Sequence, residues 1–145
     1  MEVWAYRLTP NHVHLIVVPS DERGLGLAVG EAHRRYTNVL NARVRWSGHL
    51  FQSRFASVAM GEAHRIAAAR YVPMNIVRGR LVAHPRDWPW SSARAHLTGK
   101  DDGLVVTRPL LERIGDFASF LAIDEDPSAT GARRAAKDHR PPARQ

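Results

Sequence analysis

The first eighteen residues have the pattern of two short strands. Residues 2–8 are rich in β-forming and aromatic side chains, residues 9–11 have the composition of a turn, and residues 12–18 resume a strand. A connection this short predicts an antiparallel hairpin. Both faces of the second strand are largely apolar, so we expect that strand to lie inside a covered sheet.

The period of the apolar positions then changes to that of helices. Apolar residues recur at helical spacing over residues 25–44 and again over residues 62–81, with Pro73 inside the second run. Residues 49–60 between them are predicted to form a third strand. This order favours the α+β class, with helices packed on an antiparallel sheet. A proline-rich aromatic loop is predicted over 85–90, and short helices over 109–114 and 116–121.

The composition indicates one main domain with a tail. Residues 1–100 carry the strongest patterns, residues 101–123 read as a helical extension, and residues 124–145 read as a disordered tail because they lack periodicity. No apolar run approaches the length of a membrane helix, and no signal-peptide pattern precedes the first strand. Cysteine is absent, which excludes disulfides and cysteine nucleophiles. A cytoplasmic protein is therefore expected.

Arginine dominates the charge of the chain. The 21 basic residues outnumber the 14 acidic ones, and all but two of the basic residues are arginine. The excess of basic over acidic residues lies entirely in the first hundred positions. Arginine binds phosphate through a planar set of donors and stacks on bases, so a nucleic-acid partner is favoured. The alternative is an arginine-rich composition inherited from a GC-rich genome.

His12 and His14 are candidate metal ligands. Two histidines at i and i+2 of a strand point the same way, ~6.5–7 Å apart along the chain, so both imidazoles can reach one ion. Zinc would usually require further histidine or cysteine ligands. A site completed by oxygen atoms and water would suit Mg²⁺ or Mn²⁺. Alone, such a pair is more often an accident of packing.

Tyr71 and Asn75 are four residues apart in the second predicted helix and therefore share one of its faces. A phenol beside an amide carbonyl can present a nucleophile and an oxygen ligand together. The alternative is that Tyr71 packs in the core.

Four segments resemble a known family in their order and spacing. Residues 5–17 (AYRLTPNHVHLIV), 48–55 (GHLFQSRF), 70–78 (RYVPMNIVR) and 87–92 (DWPWSS) together resemble the REP-associated tyrosine transposases, a group of single-tyrosine HUH transposases. The resemblance covers residues from about 5 to 95. It implies a ferredoxin-like antiparallel sheet with helices on one face.

The resemblance also implies an activity. His12, His14 and Asn75 would hold a divalent ion, Mg²⁺ or Mn²⁺, and Tyr71 would attack the scissile phosphate of single-stranded DNA. The products would be a 5′-phosphotyrosine link and a free 3′-OH, and the reverse step would rejoin strands. The substrates implied are short hairpins with a single-stranded flank, which would associate the protein with the nucleoid.

Several further side chains are candidate DNA contacts. Arginines could bind the phosphate backbone and a tryptophan could stack on a base. These candidates are Arg34, Arg35, Arg54, Arg78, Trp88 and Trp90. Each has the alternative of being an ordinary surface or packing residue.

The chain departs from the family pattern in two respects. Ile76 follows Asn75 where the family has proline, while Pro73 occurs earlier and predicts a kink between Ala69 and Tyr71. The family also has a strand and a helix before residue 5 that this sequence lacks, which predicts unpartnered backbone groups and poor stability.

Two other functions stay open. A transposase-derived protein could bind hairpin DNA without cutting it, and a ferredoxin-like domain could instead bind RNA on its sheet face. The sequence leaves the oligomeric state, monomer or dimer, undetermined.

Overall fold

Two antiparallel strands open the fold, as the sequence predicts. In a computed structural model that describes residues 1–52 and 55–123, strand β1 spans Glu2–Leu8 and strand β2 spans Val13–Val18. Their pairing runs the length of both strands, with an irregularity at Trp4. The turn is closed by Thr9, whose backbone N–H and hydroxyl both donate to the carbonyl of His12.

Helices form the rest of the described fold, which belongs to the α+β class. Over the described ranges there are five α-helices and a short 3₁₀ turn at Pro85–Asp87. The helices are α1 (Gly24–Val44), α2 (Glu62–Arg78), α3 (Ala93–Thr98), α4 (Arg108–Ile114) and α5 (Phe117–Ala122). The helices predicted over 25–44, 109–114 and 116–121 are confirmed to within about a residue.

The strand predicted over residues 49–60 is wrong for every described residue of that segment, because none of them is in a strand. Local contacts explain the difference. The side-chain amide of Asn41 donates to the carbonyl of Gly48, and the Phe51 ring stacks on His33 at 3.8 Å between centroids. The beginning of the segment, as far as Phe51, therefore lies against α1 instead of pairing with the hairpin.

The second helix ends earlier than predicted, at Arg78 rather than residue 81. The backbone N–H of Gly79 still bonds to Asn75, but Arg80 has a positive φ of 56°, which a helix cannot continue through. Pro73 lies inside the helix and is buried.

The prediction that the histidine strand is internal to the sheet is wrong in this structure. β2 exposes Val13 and Leu15, whereas β1 is the covered strand. On its other side β1 makes isolated bridges to Val105 and Ser91, so chain segments after α2 take the place of a neighbouring strand. Each of these bridges is isolated rather than part of a strand, which is why the sequence analysis did not indicate a third strand there.

The core lies between the hairpin and α2. It consists of buried side chains from β1, β2, α2 and α4, with Ala69 and Leu110 fully enclosed. The Trp4 ring closes one side, and the guanidinium groups of Arg65 and Arg113 lie 5.4 and 5.1 Å from its centre. Burial of these apolar surfaces fixes α2 across the sheet face, which is what positions Tyr71.

Helix α1 contributes little to that core. None of its residues is buried, and its predicted apolar stripe leaves Leu27, Tyr36 and Val39 exposed. None of the helices in the described ranges is long and apolar enough to span a bilayer. The tail predicted over 124–145 lies outside the described residues.

Substitution of Ser92 tests whether hydrogen bonds on the covered side of β1 stabilise the fold. Its hydroxyl accepts a hydrogen bond from the backbone N–H of Tyr6 at 3.0 Å and lies 3.3 Å from the Tyr6 carbonyl, while its own N–H donates to that carbonyl. Ser92→Ala should lower the free energy of unfolding by ~1–3 kcal/mol, because it leaves a buried N–H without its acceptor. Urea unfolding measures this, with Ser57→Ala at an exposed position as the control. Equal unfolding midpoints for the two variants would contradict this account of β1.

Candidate active site

The two histidines of the His12-Val13-His14 motif meet beside the turn of the hairpin. Their ring centroids are 4.9 Å apart and the ring planes are nearly perpendicular, at 89°. His12 is exposed just before β2, whereas His14 is half-buried within it. The predicted approach of the two imidazoles is therefore present.

Helix α2 brings Tyr71 against this pair. The Tyr71 ring meets the His14 ring edge-on, with centroids 5.6 Å apart and an interplanar angle of 87°. Asn75 lies one helical turn further on, and the helical period puts it on the same side of α2. Both Tyr71 and Asn75 are half-buried. Two segments widely separated in sequence thus converge on one face of the sheet.

Arg7 also belongs to this site, and the sequence analysis missed it. It pairs with His14 across the two strands, so their side chains lie on the same face. Arg7 has no solvent exposure, and its Nη2 lies 3.1 Å from Nε2 of His12. A signal was available: Arg7 is the one basic residue among the otherwise apolar side chains of residues 3–8.

The hydrogen bonds define the tautomer of His12. A guanidinium can only donate, so Nε2 of His12 must be the acceptor and Nδ1 must carry the proton. Consistent with this, Nδ1 lies 2.7 Å from Oδ1 of Asn11 and 3.0 Å from the Thr9 hydroxyl oxygen. The turn residues therefore orient the His12 ring toward Arg7.

The surroundings keep both imidazoles neutral at pH 7. Burial lowers the pKa of His14 to about 4, with the positive charge of Arg7 and the neighbouring His12 acting in the same direction. The pKa of His12 is also lowered, by burial first and then by Arg7. Neutral imidazoles retain a lone pair that can accept a proton or bind a metal.

The side chains do not fit a divalent ion at His12 as they are arranged. The Nε2 lone pair of His12 already accepts a hydrogen bond from Arg7, whose positive charge would repel Mg²⁺ or Mn²⁺. In the part of the chain that the structure describes, no three His, Cys, Asp or Glu side chains are grouped to hold a metal. The ion implied by the resemblance stays a prediction that this geometry opposes.

The candidate phosphate-binding arginines have different settings. Arg34 and Arg35 are exposed on α1, and both donate to Glu31, with the Arg34 pair bidentate. These bonds, that of Arg34 foremost, lower the pKa of Glu31 to about 2. Arg78 is exposed at the end of α2, and Arg54 lies outside the described residues.

The two tryptophans of the Trp-Pro-Trp loop differ in role. The Trp88 indole N–H donates to the carbonyl of Leu8 at 2.8 Å, so Trp88 anchors the loop to the end of β1. The backbone carbonyl of Trp90 accepts from the N–H of Leu8, but its side chain is 62% exposed. Of the two tryptophans, only Trp90 therefore has a largely exposed ring. It lies next to the end of β1 where Arg7 is located.

Comparisons with known proteins identified no similar protein. No family model matches the chain, and no curated protein or solved structure matches it significantly.

His14 should make the stability of the protein depend on pH. Its pKa in the folded state, about 4, is below the ordinary value of 6.5, so between these values the unfolded chain binds more protons. Stability should therefore fall as the pH is lowered from 6.5 towards 4. In His14→Gln this component is absent, and the drop in melting temperature between pH 7 and pH 4.5 should be smaller. The same drop in both proteins would show that His14 is not in the surroundings described.

Proposed function

We propose that this protein is a DNA strand transferase that cleaves and rejoins single-stranded hairpin DNA through a covalent bond to Tyr71. We also propose that its sheet and helices are a variant of the ferredoxin-like arrangement, and that it acts at the nucleoid. The observation that supports this function best is the contact between the rings of Tyr71 and His14. This contact places the candidate nucleophile Tyr71 beside the neutral imidazole of His14, close to the buried guanidinium of Arg7.

The proposed reaction uses these groups in order. The Tyr71 oxygen attacks phosphorus, a phosphotyrosine bond forms, and the bond between phosphorus and the 3′ oxygen breaks. The departing oxygen takes up a proton from solvent and becomes a free 3′-OH. The phenolic proton must leave as Tyr71 attacks, and His14 is the adjacent imidazole that is neutral at pH 7. Attack by another 3′-OH on the phosphotyrosine reverses these bond changes and joins strands.

The chemistry of the surroundings suits a phosphodiester. Arg7 places a permanent positive charge beneath His12, where charge builds up on phosphate oxygens during attack. Trp90 offers an exposed ring for stacking on an unpaired base beside the same end of β1. The strong excess of arginine in the chain supplies the long-range attraction for a polyanion.

The direct test uses an end-labelled single-stranded hairpin with a single-stranded flank. Incubation with the protein, with and without Mn²⁺, should give a covalent adduct that survives denaturing electrophoresis, because the phosphotyrosine bond is not broken by denaturation. Tyr71→Phe should form no adduct, while Tyr36→Phe, which changes an exposed tyrosine on α1, should form it like the parent protein.

An adduct that persists in Tyr71→Phe would show that another residue is the nucleophile. Salt-sensitive binding of the hairpin without any adduct would contradict strand transfer and favour a protein that only binds hairpin DNA. Tighter binding of an RNA of the same sequence would favour the RNA-binding alternative.

The tryptophan loop gives a matched pair of variants. Trp90→Ala should weaken binding of the single-stranded flank by ~1–3 kcal/mol, because a base loses its stacking partner, while the melting temperature stays unchanged. Trp88→Phe removes the N–H that bonds to Leu8 and should lower stability instead. Fluorescence anisotropy and thermal melting separate the two effects. Unchanged DNA affinity in Trp90→Ala would remove this residue from the interface.

A further inference from the structure

We propose that Arg7 is the resident cation of the cluster formed by Arg7, His12, His14 and Tyr71, and that it excludes a divalent ion from the two histidines. The exclusion follows from the geometry alone. Its catalytic consequence, that strand transfer needs no divalent ion, rests on the proposed function.

The position of Arg7 is built into the sheet. Its register opposite His14 directs the guanidinium onto the face covered by α2, where it has no solvent exposure. The bond from Nη2 to His12 takes the lone pair that a metal would need. The turn fixes the other side of the ring, because Nδ1 of His12 bonds to Asn11 and Thr9. Turning the ring to free Nε2 would break these bonds.

The charge of Arg7 is also permanent. A guanidinium stays protonated over the whole physiological pH range, so a divalent ion at His12 would always face a like charge. Without His12, the candidate ligands would be one imidazole nitrogen of His14 and the amide oxygen of Asn75, which is too little for stable binding of Mg²⁺ or Mn²⁺. Arg7 therefore blocks the site both by occupying a ligand atom and by repulsion.

Arg7 still has hydrogen-bond donors that could bind an anion. Its Nε and Nη1 atoms are buried and have no hydrogen-bond partner among the described residues. A buried cation with unused donors is costly, and an anion held nearby reduces that cost. His12, which lies over this charge, is exposed to solvent. A phosphate at His12 would thus experience the positive charge that a metal ion would otherwise supply.

Titration with Mn²⁺ alone tests the exclusion. Binding is followed by the loss of the electron paramagnetic resonance signal of free Mn²⁺. The parent protein and His12→Gln should bind Mn²⁺ equally weakly. Arg7→Met, of similar length but uncharged, should bind it about 10- to 100-fold more tightly, and adding His12→Gln should abolish the gain. Arg94→Met, at an exposed position on α3, is the control for the same chemical change.

Two results would overturn the exclusion. One is Mn²⁺ binding by the parent protein that is lost in His12→Gln, and this comparison decides the question even if Arg7→Met does not fold. The other is a folded Arg7→Met that binds Mn²⁺ no better than the parent, since Arg7 would then not be what excludes the ion.

The catalytic consequence is tested with the labelled hairpin in the presence of EDTA. The adduct should form in EDTA with the parent protein and with Arg94→Met, and be lost with Arg7→Met. An adduct that requires Mn²⁺ would overturn this inference while supporting the proposed function. No adduct under any condition would contradict the proposed function, and the Mn²⁺ titration would still decide the role of Arg7.

Discussion

The pairing of β1 on both of its sides is the constraint on which the structure depends. On one side β1 is bonded to β2 along the hairpin, and on the other the segments around Ser91 and Val105 bond to its backbone. These bonds give partners to backbone N–H and C=O groups on the second side of β1 without a full third strand. The strand can then bury Ala5 against α2, and the same face continues to Arg7. The core and the candidate site are therefore two ends of one surface.

This packing buries the guanidinium of Arg7, which is unfavourable for the stability of the fold. A guanidinium removed from water is unfavourable unless its donors are bonded, and here only the bond to His12 is present among the described residues. A core selected for stability alone would place an apolar side chain at this position. A residue that keeps its charge in such surroundings is more often found where a site uses that charge. In the proposed strand transfer, the charge of Arg7 would lie beside His14 and Tyr71, where attack on a phosphodiester builds up negative charge on oxygen.

The hairpin and the two long helices were predicted from the sequence because each depends on local periodicity. That His14 and Tyr71 belong to one site was implied only by the family resemblance, since a contact between segments this far apart has no local signal. It did not predict the path of residues 49–60. Phe51 and Phe55 have the composition of a strand, but Phe51 finds its partner in His33 of the preceding helix, a contact that no strand pattern encodes. Arg7 was missed because its role depends on the register that sets it opposite His14. The ferredoxin-like arrangement, the divalent ion and the strand-transfer activity stay predictions.

Peptide mapping by mass spectrometry, after incubation with hairpin DNA and nuclease trimming, identifies the nucleophilic tyrosine directly. The three tyrosines fall in separate tryptic peptides, because arginine ends residues 1–7, 36–43 and 71–78. A nucleotide mass is expected on the 71–78 peptide alone, located on Tyr71. A nucleotide on the peptide of Tyr6 or Tyr36, or unmodified 71–78 peptide from protein saturated with DNA, would contradict this assignment.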